Sequence, residues 1–134
     1  RPGDNRKQQM KIIENMPVKS LITFPRSNLK LKFKDYSKGL ALRGFAWTGE
    51  KEVTACHLSF DFGQTWKKTE LKPSRNPYAW RRWVCRLNFP GPGYYEIFSR
   101  ASDSSGKMQP MVVPGWNSKG YLNNAMPRIA LELV

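Results

Sequence analysis

Val53-Thr54-Ala55-Cys56-His57-Leu58-Ser59-Phe60, then Asp61-Phe62-Gly63-Gln64, then Thr65-Trp66-Lys67-Lys68-Thr69-Glu70-Leu71 is the stretch whose reading decides the fold class. Two runs of strand-forming residues flank four turn residues, which predicts a β-hairpin. Asp61 can cap a tight turn, Gly63 can supply a positive φ, and Trp66 can pack beneath the hairpin. Cys56, Leu58 and Phe60 share one face of the first strand, because side chains alternate along a strand.

Working outward, the same grammar repeats. Val18–Thr23 reads as a short strand stopped by Pro25. Leu29, Leu31 and Phe33 alternate with Lys30, Lys32 and Lys34, which predicts a half-buried or edge strand with its lysines outward. Lys38-Gly39 is a turn, and Leu40–Trp47 follows it as a strand. Tyr78–Asn88 is an aromatic-rich strand, and Phe89-Pro90-Gly91-Pro92-Gly93 is a turn cluster. Tyr94–Ala101 is the next strand, ended by Asp103-Ser104-Ser105-Gly106. An irregular stretch, Lys107–Asn124, leads to a last strand at Arg128–Val134. About seven short strands with almost no helix predict an all-β fold, a two-sheet β-sandwich. Residues 1–16 differ: they are polar and basic, with a weak helical beat at Met10, Ile13 and Met16 that Pro17 breaks. They are expected to be an N-terminal arm or a linker from a preceding domain, with the β domain at 17–134.

Parity also places the two cysteines. Cys56 shares its face with Leu58, and Cys85 shares its face with Trp83 and Leu87. If those faces meet across the sandwich, a Cys56–Cys85 disulfide is possible. The other reading is two buried free thiols, each acting as a small hydrophobe.

The chain has 134 residues, one domain's worth, with 40% hydrophobic and 25% charged residues. Disorder and coiled coil are therefore poor readings. No apolar run approaches the roughly 18 residues of a membrane span. The chain starts at Arg1 with no signal-type apolar segment, so it is expected to be a trimmed chain or a fragment of something longer. Lys and Arg number 23 against 10 Asp and Glu, a net charge of +13. Residues 1–34 hold nine of the cations and two of the acids. Such an excess points to partners of opposite sign. One histidine, His57, and two cysteines fall short of the three or four ligands of a zinc site. Walker A and GxGxxG patterns are absent. His57 and Cys56 are neighbours, and in one strand they point to opposite faces, so they make no nucleophile–base pair. A self-contained active site is not expected, and no catalytic or metal-binding residue is assigned.

Ser59–Trp66 also fits the Ser-x-Asp-x-Gly-x-Thr-Trp pattern of the Asp-box in sialidase-type propellers. Those folds repeat it blade after blade, whereas it occurs once here, which favours a stable hairpin. Further motifs follow a fixed order: Met16-Pro17-Val18-Lys19-Ser20, Gly44-Phe45-Ala46-Trp47-Thr48-Gly49, Ser59–Trp66, Ala79-Trp80 with Trp83, Arg100–Pro110, and Trp116–Ala125. Together, over residues 16–134, they resemble the C-terminal domain of the sulfite oxidase family, the molybdenum-cofactor oxidoreductase dimerisation domain. The resemblance implies an immunoglobulin-like sandwich following a larger domain that holds molybdopterin and supplies the cysteine ligand to molybdenum. Neither Cys56 nor Cys85 has that role. In animal and plant sulfite oxidases the loop resembling Trp116-Asn117-Ser118-Lys119-Gly120 carries an arginine where this chain has Lys119. By that resemblance Lys119 is the substrate-binding residue, a cation that helps hold an oxyanion near the metal. Lysine offers a point charge rather than a bidentate fork. The chain departs from the family at Phe62, where Asp-Gly-Gly is usual, and at Met126-Pro127-Arg128, where Trp-His-Arg is common.

The implied function is the dimerisation domain of a bacterial sulfite oxidase-like enzyme that converts sulfite to sulfate at molybdenum. The domain alone is expected to bind no cofactor and not to catalyse. Its expected partners are the preceding molybdenum-cofactor domain and a second copy in a homodimer, in the periplasm of a bacterium. The alternative is a free-standing basic immunoglobulin-like module for an anionic polymer or acidic protein, which the charge supports. Nucleic acid binding is expected to be weak, non-specific and steeply salt-dependent, coming from dispersed Lys and Arg, and tight sequence-selective binding would favour the alternative.

Overall fold

The computed structural model describes residues 17–49, 51–74, 80–111 and 125–134. They form nine strands: β1 (Lys19–Phe24), β2 (Leu29–Leu31), β3 (Leu40–Trp47), β4 (Val53–Ser59), β5 (Lys67–Lys68), β6 (Glu70–Leu71), β7 (Arg81–Leu87), β8 (Gly93–Asp103) and β9 (Arg128–Leu133). One sheet has the order β1-β3-β7-β6 and the other β2-β9-β8-β4-β5. All pairings are antiparallel except β2 with β9. The two orders match the immunoglobulin plan, four strands facing a sheet built on the last strands of the chain. The predicted sandwich is therefore the observed one.

Alternation builds the core. Along β3, Leu40, Leu42, Gly44 and Ala46 are buried while Ala41 and Arg43 are exposed. Opposite them on the second sheet lie Cys56, Leu58, Ile97, Ala101, Leu131 and Leu133, all nearly inaccessible. Trp83 is the largest fully buried side chain, and its Nε1–H donates to the Phe45 carbonyl at 3.2 Å. It packs so closely over β3 that a Cβ on Gly44 would stand 2.4 Å from its ring and 2.0 Å from the Leu21 carbonyl oxygen. Only glycine fits there. At the start of β8 the Tyr95 hydroxyl donates to the Gly91 carbonyl at 2.6 Å, a tyrosine corner of the kind found in immunoglobulin-like sandwiches.

Two predicted strands differ from the structure. Thr65–Leu71 divides: β5 pairs with β4 in one sheet, and β6 pairs with β7 in the other. The chain changes sheets at Thr69, whose N–H still donates to the Cys56 carbonyl at 2.8 Å. The lysine-alternating strand keeps only Leu29–Leu31, and Phe33–Tyr36 is a 3-10 turn. The Phe33 amide and the Val134 carbonyl nevertheless remain bonded at 2.9 Å.

The cysteine parity holds, since Cys56 on β4 and Cys85 on β7 both point into the core. The possible disulfide is not formed; both are buried free thiols. Each fills a small apolar space between the sheets, where burial favours the neutral S–H form.

Candidate functional site

The Ser59–Trp66 hairpin is held by its own side chains. The Ser59 hydroxyl accepts from the Gly63 amide at 2.9 Å and donates to Asp61 Oδ1 at 2.7 Å. The Thr65 amide donates to the same Asp61 oxygen at 2.9 Å, and the Thr65 hydroxyl donates to Asp61 Oδ2. Hydrogen bonds from Thr65, then Ser59, pull the Asp61 carboxyl down to about 2. Gly63 takes φ +84°, and Phe62, in the position where the family usually has glycine, takes φ +58° with its ring exposed. The hydrogen-bonding groups of Ser59, Asp61, Gly63 and Thr65 are engaged with one another in the turn, which reads as a structural hairpin.

Two other motifs meet on the outer face of the first sheet. Trp47 stacks on Trp80 with ring centroids 3.8 Å apart, and Phe45 meets Trp80 edge-on at 5.7 Å. Such aromatic pairs contribute packing beyond their buried area.

A third convergence lies in the core. Ser20 on β1 and Gln109, just beyond β8, are 89 residues apart in sequence, yet the Ser20 hydroxyl donates to Gln109 Oε1 at 2.5 Å. The same oxygen accepts from the Ala101 amide at 2.9 Å, and Ser20 and Ser99 share a hydroxyl contact of 2.8 Å across the two sheets. Gln109 Nε2 donates to the Ala125 carbonyl at 3.4 Å, and the Met126 amide donates to the Pro110 carbonyl at 2.9 Å. Buried Gln109 therefore ties the residues on either side of the stretch 112–124 to each other and to both sheets. Lys119 lies in that stretch, outside the described residues, together with most of the Trp116–Ala125 motif. Met16 and Ala79 of the other motifs are also outside them. The sequence reading named Ser20 and Gln109 only as motif members. Two polar residues at the edges of apolar runs were the available signal for the network.

The described residues do not fit a molybdenum centre. They hold no group of three His, Cys, Asp or Glu side chains that could grip a metal ion. Burial pushes the Cys56 thiol up to about 12 and also raises Cys85, so neither offers a thiolate. Among the described residues no helix is long and apolar enough to cross a membrane.

Known proteins share this arrangement. The family model described as the Mo-co oxidoreductase dimerisation domain matches residues 10–133. Mitochondrial sulfite oxidase of Rattus norvegicus is 32% identical over 129 residues, which is 91% of this chain and 23% of the relative. Sulfite oxidase of Gallus gallus is 34% identical over 122 residues, or 87% of this chain and 26% of the relative. The NADH nitrate reductase of Volvox carteri is 26% identical over 129 residues, 90% of this chain and 15% of the relative. Among solved structures, the sulfane dehydrogenase SoxCD of Paracoccus pantotrophus superimposes with a TM-score of 0.69 at 27% identity, covering 84% of this chain and 29% of that one. The chain thus spans about a quarter of the length of the sulfite oxidases it matches. On the match across residues 10–133, and on identities above 30% to sulfite oxidases over most of its length, the chain belongs to the Mo-co oxidoreductase dimerisation domain family.

Proposed function

We propose that this chain is the dimerisation domain of a bacterial, periplasmic sulfite-oxidising molybdenum enzyme, and that it supplies Lys119 to the substrate oxyanion. The observation that carries the reading is the 30–34% identity to proteins named sulfite oxidases, against 26–30% to nitrate reductases. The fold is also that of the sulfane dehydrogenase SoxCD from Paracoccus pantotrophus. In this reading the domain pairs two subunits and closes one side of the substrate site. The preceding domain supplies the metal, its pterin and the cysteine ligand, and there the metal carries the oxygen-atom chemistry. Lys119 contributes a point charge that favours an anion over neutral competitors.

The test is steady-state kinetics of the complete enzyme. Lys119→Ala should raise KM for sulfite and lower kcat/KM by roughly ten- to two-hundred-fold, as expected for losing one charge-assisted hydrogen bond of about 1.5–3 kcal/mol. Lys119→Arg should retain much of the activity. Lys32→Ala, an exposed lysine just past β2, is the control and should leave the kinetics unchanged. Equal behaviour of Lys119→Ala and Lys32→Ala would remove Lys119 from the substrate site.

A further inference from the structure

Across the outer face of the second sheet, three nitrogen-bearing side chains stand in one row. His57 on β4 lies opposite Lys68 on β5 and opposite Arg100 on β8. Parity puts all three on the solvent side, since their neighbours Cys56, Leu58 and Ala101 point inward. With His57 shifted toward the neutral form, the charges of the row are those of Lys68 and Arg100, one on each side of it. Compensation is missing from the described residues. Their ion pairs are Lys30–Glu132, Lys72–Glu70 and Arg128–Glu96, and none reaches this row.

The hydrogen-bond accounting points the same way. Three other cations of the domain are committed to backbone carbonyls: Arg81 to Lys72 and Val53, Arg86 to Lys38 and Gly39, Lys67 to Arg86. Arg100 is not. Its guanidinium carbon lies over the Trp66 ring, 4.1 Å from the centroid, and its buried Nε has no acceptor. The buried Nδ1 of His57 also has no partner. An arginine N–H can only donate. An oxyanion over the row would offset the Lys68 and Arg100 charges and accept from the outer N–H groups of the guanidinium.

We propose that Lys68, His57 and Arg100 form an oxyanion-binding site on the outer face of the second sheet, with Trp66 holding the arginine in place. Arginine supplies the directed donors, lysine the second charge, and histidine a donor that is charged only when the site is filled or the solution acidic. In the empty site His57 is shifted toward the neutral form, by burial first and then by the Arg100 and Lys68 charges, which are the charged groups acting on it. A bound oxyanion reverses the last two effects. The proposal does not depend on the sulfite reading.

His57 is the sole histidine, so its imidazole signal is a clean probe. The experiment follows its NMR titration in this chain with sodium chloride, sodium sulfate and sodium acetate at matched ionic strength. Sulfate is expected to raise the His57 pKa saturably by about 0.5 or more relative to chloride. Arg100→Met should abolish the rise, and Lys68→Met, at an exposed position, should weaken it. A rise with sulfate assigns a free tetrahedral dianion, and a rise with acetate alone assigns a carboxylate, which would come from a protein group. Equal titration curves in all three salts overturn the site, as does a sulfate response that survives unchanged in both variants.

Discussion

Replacing Gln109 by leucine keeps the side-chain volume but deletes both ends of its amide. Gln109 is 2% exposed, so water cannot take over its bonds. The Ala101 amide at 2.9 Å loses its acceptor, and so does the Ser20 hydroxyl at 2.5 Å. Ser20 can turn fully to Ser99, 2.8 Å away, whereas the Ala101 amide loses the side-chain acceptor it has in the parent. One fully orphaned buried donor and one half-satisfied hydroxyl together cost about 2–4 kcal/mol. With a urea m-value of about 1.5–2 kcal/mol/M for a domain of this size, the unfolding midpoint should fall by about 1–3 M. Ser20→Ala leaves Gln109 still bonded to Ala101 and should cost about 1 kcal/mol. Because the two residues share one network, the double variant should be less destabilised than the sum of the singles. Hydrogen exchange supplies a local readout, since the Ala101 amide should be protected to the global unfolding limit in the parent and lose that protection first in Gln109→Leu. A Gln109→Leu midpoint within about 0.3 M of the parent, with Ala101 still protected, would refute the claim that this network joins the sheets.

Gly44→Ala should destabilise by about 1–3 kcal/mol or more, because its Cβ meets the Leu21 carbonyl and the Trp83 ring; calorimetry checks it, and a near-parental Tm would contradict the packing described. Asp61 is depressed in the folded state, so its contribution is full above the ordinary carboxylate value of 3.8 and is lost as pH falls through about 2; Asp61→Asn should be less stable than the parent at neutral pH, with the difference vanishing near pH 2 in acid titrations followed by tryptophan fluorescence. Cys56 and Cys85 should resist a thiol reagent at pH 8 in the native state and both react in denaturant, and fast native labelling would show that burial does not hold them neutral.

What was legible depended on how local its cause is. The bounds of β3 follow from the Lys38-Gly39 turn and the run Leu40–Trp47 after it, and those bounds are the ones observed. The Asp61 turn was legible for the same reason, since all its partners fall within Ser59–Thr65. The sheet change at Thr69 was not, because Thr65–Leu71 carries a continuous strand-like composition and the change is set by which distant strand each half meets, β4 or β7. Phe33 and Lys34 misled because the apolar–lysine alternation of Leu29–Leu31 runs on through them, while the backbone turns into a 3-10 helix after the Phe33 amide bonds Val134. Gln109 reads as an ordinary polar loop residue, and only the approach of β1 to β8 reveals its partners. Lys119 was reachable through resemblance alone; its neighbours in sequence offer turn chemistry and aromatics that suit many loops. The unpaired row at Lys68, His57 and Arg100 could not be seen in advance, because it needs the register of three strands at once.

The account's central claim is that this domain joins two subunits. Sedimentation equilibrium of the 134-residue chain over a micromolar concentration range measures that directly. A reversible dimer of twice the 15.5 kDa chain mass is the predicted result. A strict monomer throughout that range, from a chain shown by its spectrum to be folded, would contradict it.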